Sequence, residues 1–268
     1  MPASGRLYRQ PSLRHIRLVR HPLYCRAKTW GHRVWTWPFA PIFTLDRGAY
    51  LWSLGYMVKT TPDFSFETAA LAQGFTAIAG VDEVGRGPLA GPVCAAAVVL
   101  DVHNIPDGLN DSKQLSAKKR DLLFDQLMAC ADVSIAEATV REIEEINILR
   151  ASHLAMVRAI GGLSAPADFI LIDGNQTPRG LNTPNQTIVK GDTRSLSIAA
   201  ASIVAKVWRD RLMVDLAQQH PGYGWETNAG YPTPVHKKAL QNLGVTPHHR
   251  RTFAPVHKML WQQKFVSD

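Results

Sequence analysis

The sequence predicts an α/β fold of three layers, in which helices cover both faces of a mixed five-stranded sheet and a helical segment ends the chain. Two observations support this prediction. The first two apolar runs follow each other across a turn rich in glycine and proline, which is typical of strands. Helical and strand-like patterns then alternate up to residue 219, and after it only helical patterns follow.

The first two strands are predicted from their apolar character. Ala77–Asp82 is a short apolar run that ends on an acidic residue, and Gly91–Leu100 (GPVCAAAVVL) is the second strand. Leu109–Gln114 is polar and is expected to form a loop. Ser116 caps a helix that runs to about Cys130, with leucines on one face and basic residues on the other.

The middle of the chain continues this alternation. Val133–Val140 has the alternating pattern of a third strand. A long helix follows from Arg141 to about Gly161, where a pair of glycines ends it. Phe169–Asp173 (FILID) is the fourth strand and again stops on an acid, and Thr187–Lys190 is the fifth.

The C-terminal part is predicted to be mostly helical. A long alanine-rich helix runs from about Ser195 to Gln219. It is followed by a loop rich in glycine and aromatic residues, Pro221–Pro232. Two short helices then complete the chain, around Val235–Leu243 and Ala254–Phe265.

Charge is distributed unevenly along the 268 residues. Lys+Arg 30 against Asp+Glu 22 gives a net charge of +8. Residues 1–66 contain ten basic and two acidic residues, whereas residues 67–268 contain 20 of each, so the whole excess lies in the first quarter. This distribution excludes a uniformly basic, histone-like protein. It also weakens any inference from the high pI to nucleic-acid binding.

Residues 1–66 therefore form a basic, Trp- and Arg-rich extension before a domain at residues 67–268. The extension could be disordered or no part of the working protein, with the true start at Met57, because the Arg:Lys ratio changes from 8:1 to 11:10 there. It could instead be an arm that binds nucleic acid through phosphate contacts and stacking. A third interpretation is a transit peptide, although Pro22, Pro38 and Pro41 disfavour the amphipathic helix that such peptides form.

The remaining composition is that of an intracellular globular protein. Apolar residues make up 46% of the chain, which allows residues 67–268 to bury a sizeable core. Cys25, Cys94 and Cys130 are far apart and in no ligand spacing, which indicates free thiols in a reducing compartment. No stretch approaches the ~20 apolar residues that span a bilayer. We expect a cytoplasmic monomer that does not bind membranes.

Acidic residues stand at the ends of three predicted strands. Asp82 and Glu83 come after the first strand, Asp173 ends the fourth, and Asp192 follows the fifth. The carboxyl ends of neighbouring strands can meet in space although they are distant in sequence. Converging carboxylates repel one another and need hard cations to share a site, and Mg²⁺ and Mn²⁺ prefer such oxygen ligands. The alternative is that these acids are helix caps or solvated turn residues.

A glycine-rich segment begins at the first pair of acids. Residues 82–93 read DEVGRGPLAGPV, in which the glycines and prolines force a tight turn whose backbone can approach a ligand closely. This string resembles the signature of ribonuclease HII, the type 2 ribonuclease H family. The resemblance covers residues 75–258 and continues in order through LNDSKQL at 109–115, IDGN at 172–175, KGD at 190–192, SIAAASIVAKVWRD at 197–210, GYG at 222–224 and GYPT at 230–233.

The resemblance implies a ribonuclease H-like fold and a site of four catalytic and metal-binding carboxylates, Asp82, Glu83, Asp173 and Asp192. Asp82 and Asp173 would bind or bridge two divalent ions, Mn²⁺ or Mg²⁺, and the other two would complete the ligand shells. The implied reaction is hydrolysis of the phosphodiester on the 5′ side of a ribonucleotide, with 5′-phosphate and 3′-hydroxyl products. The implied substrates are RNA/DNA hybrids and DNA duplexes that contain ribonucleotides.

Substrate recognition is implied by two further elements. Gly85, Arg86 and Gly87 resemble the family's loop that reads the 2′-hydroxyl through backbone groups. Tyr231 resembles the tyrosine that packs against the sugar 3′ of the ribonucleotide. Arg86 could instead be a simple phosphate contact or a partner of an acid, and Tyr231 could be a buried core residue.

Basic and polar side chains offer further contacts. Asn110, Ser112 and Lys113 lie in a polar loop suited to phosphate contact, and Lys206 is a candidate partner of a phosphate or a carboxylate. The pair His249-Arg250 resembles a family feature to which the sequence assigns no role. A basic C-terminal group could extend the duplex-binding surface, namely Lys237, Lys238, His248, His249, Arg250 and Arg251.

Two other functions remain open. The related ribonuclease HIII is a nuclease of RNA/DNA hybrids, but it typically has lysine in place of Arg86 and a folded N-terminal domain. A non-catalytic nucleic-acid-binding module on the same fold would bind without cleaving. The presence of all four carboxylates offers no support for such a module.

Overall fold

The computed structural model describes residues 61–264, with side chains up to residue 261, and its centre is a sheet of five strands. The strands are β1 (Ile78–Val84), β2 (Val93–Val99), β3 (Asp132–Ala138), β4 (Phe169–Asp173) and β5 (Asn185–Ile188). Their order across the sheet is β3-β2-β1-β4-β5. β2 pairs antiparallel with β1 and β3, whereas β4 pairs parallel with β1 and β5. The predicted mixed five-stranded sheet is confirmed.

Helices surround this sheet, and most of them lie within two residues of their predicted bounds. Among residues 61–264 they are α1 (Ser65–Leu71), α2 (Ala117–Cys130), α3 (Val140–Gly161), α4 (Leu196–Gln219), α5 (Trp225–Asn228), α6 (Pro234–Leu243) and α7 (Ala254–Lys264). The sequence does not predict α1 or α5, and α5 lies in the segment predicted to be a loop. Both are too short to produce a clear helical period. No helix of this part of the chain has the length and apolar character of a bilayer-spanning segment.

The folded part of the chain includes residues that we assign to the extension from sequence. The predicted boundary after residue 66 falls inside α1. The backbone of Asp63 pairs with Arg194 and Leu196 just before and at the start of α4. The buried carboxylate of Glu67 accepts hydrogen bonds from Ser195 Oγ (2.6 Å) and Ser197 N (2.9 Å). Residues 1–60 lie outside the described residues, so the three interpretations of the extension stay predictions.

The sheet is covered on both faces because its central strands are apolar on both sides. In β2, Val93, Ala95 and Ala97 belong to a buried cluster with residues of α3. Ala96 and Val98 belong to a second cluster with residues of α2 and α4. Successive side chains of a strand point to opposite faces, so a strand covered on both faces is continuously apolar. The result is the predicted three-layer arrangement.

Helix α3 is kinked near its beginning, whereas the sequence predicts one continuous helix. Thr139 and Glu142 form a reciprocal capping box at its start. Asn147 has φ 67° and ψ 165°, which are not helical values, and its Oδ1 accepts the N–H of Arg150 at 3.1 Å. Asn147 therefore caps a second helical segment. One non-helical residue leaves the apolar pattern on both sides intact, so periodicity does not reveal the kink.

Candidate active site

The four predicted carboxylates lie at the edge of the sheet that is formed by the carboxyl ends of β1, β4 and β5. Asp173 is the last residue of β4, and Asp192 lies in a short 3₁₀ turn, Gly191–Thr193, just after β5. Asp82 and Glu83 lie within β1 and not after it, because the pairing with β2 continues as far as Val84. Val81 pairs with Ile172 in the parallel neighbour β4, which places Asp82 and Asp173 at the next position of both strands.

Mutual repulsion shows that these carboxylates share one electrostatic environment. Burial raises the pKa of Asp82 well above its ordinary value, and the charges of Glu83, Asp173 and Asp192 raise it further, against a hydrogen bond with Ser202. Burial also raises the pKa of Glu83 and of Asp192, and the charge of Asp173 raises both of these as well. The edge of the sheet therefore carries negative charge that is only partly compensated.

Each of the four carboxylates has at least one neighbouring protein group that donates a hydrogen bond to it or forms an ion pair with it. Asp82 Oδ1 accepts the N–H of Glu83 at 2.7 Å, and Asp173 Oδ1 accepts the N–H of Gly191 at 2.7 Å. Glu83 Oε1 lies 3.3 Å from a guanidinium nitrogen of Arg86. Asp192 Oδ2 lies 3.5 Å from Lys113 Nζ. Partial burial acts to lower the pKa of Lys113, but the charges of Asp111, Asp192 and Asp82 together raise it above its ordinary value. Two cations thus border the cluster.

The donor set fits hard divalent cations, although it is not a closed cage. Carboxylate oxygens are the ligands that Mg²⁺ and Mn²⁺ prefer, and uncompensated charge favours their binding. Within the described residues, no three His, Cys, Asp or Glu side chains stand in a geometry that would hold one ion between them. Mg²⁺ usually keeps several waters and takes only one or two carboxylates, so it does not need such a cage.

The two predicted recognition elements contact each other. Gly85, at φ +97°, begins the turn after β1, and the half-exposed side chain of Arg86 returns toward Glu83. Tyr231 is 42% exposed and is not a core residue. Its ring lies against the turn, since a Cβ added to Gly87 would be 3.3 Å from Tyr231 Cε1. Backbone and aromatic ring therefore form one surface beside the carboxylates.

The predicted polar contacts divide into exposed and buried residues. Lys113 is 78% exposed at the edge of the carboxylate cluster. Ser112 is instead buried, and its Oγ lies 3.0 Å from Ser202 Oγ of α4. Asn110 uses its Oδ1 to accept the N–H of Asp111. Lys206 Nζ lies 2.7 Å from Asp210 Oδ1, so its observed partner is a carboxylate one turn along α4.

A solvent-open cleft of about 490 Å³ beside the carboxylates contains residues that the sequence does not single out. Glu83, Asp173 and Arg86 line one part of it, and Ser152 and His153 of α3 line another. Burial lowers the pKa of His153, and the nearby positive charges of arginines lower it further. His153 lies in a continuous helical pattern, which contains no signal that it borders a site.

Two members of the proposed basic C-terminal surface are buried. His249 and Arg250 are at most 1% exposed, so neither can contact a duplex as predicted. Lys237, Lys238 and Arg251 are exposed, as expected for a solvated surface. Arg250 directs its guanidinium to carbonyls of the turn at residues 85–92, which compensates the burial of its charge.

His249 belongs to a buried hydrogen-bond chain that requires neutral imidazoles. His236 Nδ1 lies 2.9 Å from the carbonyl of Tyr231, so this nitrogen carries the proton. His236 Nε2 then accepts from Trp225 Nε1 and from His249 Nε2, both at 3.0 Å. His249 Nδ1 accepts the N–H of Thr246 at 3.0 Å. A proton added to His236 Nε2 or to His249 Nδ1 would point at a hydrogen-bond donor and would break the hydrogen bond that this nitrogen accepts.

Acidification is therefore expected to destabilise the protein through His249. Burial, followed by repulsion from the neighbouring histidines, lowers the pKa of His249 to about 3. An unfolded histidine titrates near pH ~6.5, so between these values only the unfolded state binds the proton. Stability that is present above pH ~6.5 is lost as the pH falls toward 3, by about 1.4 kcal/mol per pH unit.

Urea unfolding at several pH values between 5 and 7.5 measures this effect. Wild type is expected to lose about 2 kcal/mol more between pH 7.5 and pH 5 than His249→Gln, which has no titrating group at this position. Equal pH slopes for the two proteins would contradict the assignment of a neutral His249.

Solved structures with the same architecture define the class of this protein. The crystal structure of ribonuclease H2 from Pyrococcus horikoshii OT3 aligns with a TM-score of 0.60 at 30% identity, over 72% of this chain and 100% of that one. Bst-RNase HIII in complex with Mn²⁺ aligns with a TM-score of 0.58 at 20% identity, over 74% of this chain and 73% of that one, which indicates the fold alone. The ribonuclease H-like fold is confirmed.

The chain belongs to the ribonuclease HII family, which is a family of hydrolytic endonucleases. The family model for ribonuclease HII matches residues 79–264. Ribonuclease HII from Ruegeria pomeroyi is 69% identical over 204 residues, which are 76% of this chain and 87% of that one. Ribonuclease HII from Roseobacter denitrificans is 67% identical over 196 residues, 73% of this chain and 99% of that one. The resemblance read from the motifs is confirmed, and ribonuclease HIII is not supported.

Proposed function

We propose that this endonuclease hydrolyses the RNA strand of RNA/DNA hybrids and nicks duplex DNA on the 5′ side of embedded ribonucleotides. The products would carry 5′-phosphate and 3′-hydroxyl ends. The observation that carries this proposal is the convergence of Asp82, Glu83, Asp173 and Asp192 on one sheet edge, with pKa values of three of them raised by burial and mutual repulsion. Such a site is suited to cations and to the charge that develops in phosphodiester hydrolysis.

We also propose that Mg²⁺ or Mn²⁺ is the cofactor, bound as a pair of ions. Asp82 and Asp173 would bind or bridge them, and Glu83 and Asp192 would complete the shells. When bound, such ions lower the pKa of an attacking water and stabilise the leaving oxygen. The carboxylate donors of this chain support the proposal, and so does the Mn²⁺ in the ribonuclease HIII structure of the same fold.

The other residues of the site would bind and orient the substrate. Lys113 and Arg86 are exposed cations next to the carboxylates, so their free donors could take phosphate oxygens. The oxygen of a 2′-hydroxyl accepts hydrogen bonds, and the backbone N–H groups of Arg86 and Gly87 would donate to it. Tyr231 would pack against the adjacent sugar, because its ring lies beside Gly87. These contacts would select ribonucleotides by shape and hydrogen bonding, not by base sequence.

The decisive experiment compares three labelled duplexes that differ only in sugar: all-DNA, DNA with one ribonucleotide, and an RNA/DNA hybrid. With Mg²⁺ or Mn²⁺ we expect cleavage of the last two only, on the 5′ side of the ribonucleotide. No cleavage is expected when a chelator removes the metal. Cleavage of all-DNA at a similar rate, or cleavage on the 3′ side, would contradict the proposal.

The same assay tests the organisation of the chain. We propose that the domain at residues 67–268 acts as a cytoplasmic monomer and does not need the first 56 residues. The short segment before the domain that contains Asp63 packs on it and belongs with it. All four carboxylates and both recognition elements come from one copy of the chain. A chain that starts at Met57 should therefore cut at the rate of the full chain and sediment as a monomer. A large loss of rate would assign a role to the extension.

A further inference from the structure

Two buried arginines lie behind the turn that follows β1. Arg209 of α4 and Arg250, between α6 and α7, are both 0% exposed. All the hydrogen bonds that the structure describes for the two guanidiniums go to backbone carbonyls. Burying two neighbouring cations is unfavourable, and apolar side chains of similar volume would avoid this cost. A role beyond packing would account for their presence.

Arg250 binds both ends of the turn. Its Nη2 donates to the carbonyl of Gly85 (2.6 Å) and its Nη1 to that of Arg86 (3.0 Å). Its Nε donates to the carbonyl of Gly91 (2.9 Å), and Nη2 also reaches that of Pro92 (3.2 Å). The planar fork of one guanidinium thus sets the orientation of four carbonyl groups.

Arg209 joins the same turn to the segment before Tyr231. Its Nε donates to the carbonyl of Pro92 (3.0 Å) and its Nη2 to that of Ala90 (3.1 Å). Its Nη1 donates to the carbonyl of Ala229 (3.0 Å), two residues before Tyr231. The glycine turn and the backbone just before Tyr231 are therefore held by one pair of side chains.

The orientation of the carbonyls determines where the amide protons point. In a trans peptide the N–H lies opposite the C=O of the preceding residue. Because the carbonyls of Gly85 and Arg86 point inward to Arg250, the N–H groups of Arg86 and Gly87 point away from it. The ring of Tyr231 lies next to Gly87, with its Cε1 3.3 Å from the position of an added Cβ. The buried cation thus aims two backbone donors away from the core.

Arg250 keeps its charge at neutral pH. Burial, followed by repulsion from Arg209, lowers the pKa of Arg250 to about 9, which is still well above 7. The aromatic ring of Phe253 lies over the guanidinium, 5.0 Å from its carbon, and supports it from one face. The donors of Arg250 therefore remain complete under the conditions in which a nuclease works.

We propose that Arg250, assisted by Arg209, is a positioning residue for ribonucleotide recognition. It fixes the peptide planes of Gly85–Arg86 and Arg86–Gly87 so that their N–H groups meet the substrate sugar. Arg250 itself does not contact the substrate. The inference rests on the proposed function of this turn, and it gives the pair His249-Arg250 a role that its sequence does not reveal.

The test is Arg250→Lys, which keeps the charge but replaces a planar fork with a point donor that cannot reach four carbonyls. The matched control is Arg141→Lys, the same change at an arginine of α3 whose side chain is 87% exposed and pairs with Glu145. The readout is the ratio of dissociation constants for all-DNA and single-ribonucleotide duplexes, measured in a chelator. We expect the ratio to fall about tenfold in Arg250→Lys, as for one lost hydrogen bond, and to stay unchanged in the control.

The outcomes separate this inference from the proposed function. A folded Arg250→Lys protein with the wild-type ratio would overturn the positioning role and leave the proposed function intact. A wild-type protein without preference for the ribonucleotide duplex, in binding or in cleavage, would refute the proposed function itself. If Arg250→Lys does not fold, Arg209→Lys decides, because it leaves Arg250 in place and removes the planar fork that holds the carbonyls of Pro92, Ala90 and Ala229. A smaller loss of the ratio is expected there, and an unchanged ratio would overturn the inference.

Discussion

Replacing Asp82 with asparagine is expected to lower the rate of cleavage at an embedded ribonucleotide by at least about 10³-fold. Asparagine has the same shape but lacks the negative charge that would bind a divalent cation. Binding of the duplex should persist within a few fold, because the turn, Tyr231 and Lys113 are unchanged. Single-turnover cleavage and binding in a chelator measure the two effects separately.

The same substitution is expected to stabilise the folded protein. Burial and three neighbouring carboxylates raise the pKa of Asp82, so its charged form is unfavourable in the folded state at neutral pH. Asparagine removes this repulsion, and the melting temperature at pH 7 should rise. Loss of activity together with a gain in stability is the signature of a residue that is retained for function.

A matched control is Glu142→Gln, which removes the charge of a structural carboxylate. Hydrogen bonds from Arg158, foremost, and Thr139 lower the pKa of Glu142 to about 2 against the opposing effect of burial. Its loss should therefore lower the melting temperature and leave the cleavage rate nearly unchanged. If Asp82→Asn still cuts within about tenfold of the wild-type rate at saturating Mg²⁺ or Mn²⁺, the proposed site is wrong.

Replacing Gly80 with alanine is expected to have the largest effect on stability, by 3 kcal/mol or more on an order-of-magnitude scale. Gly80 lies in β1, two residues before Asp82, and α4 crosses it in direct contact. An added Cβ would lie 2.1 Å from the carbonyl carbon of Ser197 and 2.4 Å from the nitrogen of Ile198. Both are backbone atoms in a buried helix, so a rotamer change cannot relieve the overlap.

The displacement should also reach the active site. Asp82 is close to Ser202 of α4, and the spacing of β1 and α4 sets that distance. Urea unfolding measures the lost stability, and the cleavage assay at low temperature measures the rate of whatever fraction folds. The control is Gly161→Ala, at the end of α3, where nothing lies within 4 Å of an added Cβ. It should change stability by at most about 1 kcal/mol, in the stabilising direction. A Gly80→Ala protein as stable as wild type would contradict the close contact.

Much of the fold could be predicted because burial on both faces leaves a direct mark on a strand. β2 is apolar throughout and β4 is apolar up to its last residue, Asp173, and their bounds lie close to those predicted. The end of β1 is harder to predict from sequence, because Asp82 and Glu83 resemble the start of a turn. Their backbone is nevertheless still paired with β2. The polar residues there favour a turn, but the hydrogen bonds with β2 keep the backbone in an extended conformation.

The candidate site could be predicted in its chemistry but only partly in its geometry. Four acids at strand ends and a glycine-rich turn can be identified in the chain itself. The sequence predicts Arg250 and His249 as part of a basic surface, and an arginine is seldom fully buried unless it is paired. Their burial depends on carbonyls of residues 85–92 and on Trp225 and His236, which are distant in sequence. Ser112 is buried for the same kind of reason, through Ser202.

The sequence by itself determined the class of fold and the family of this protein, and it predicted the four carboxylates and the glycine-rich turn as the candidate site. These depend on residue types and on their order, which the chain carries directly. Only the tertiary structure decided which polar residues are exposed at the candidate site and which are buried behind it. A buried arginine and an exposed one are identical as letters, and the difference lies in whether distant backbone carbonyls replace the water that a charged group loses on burial.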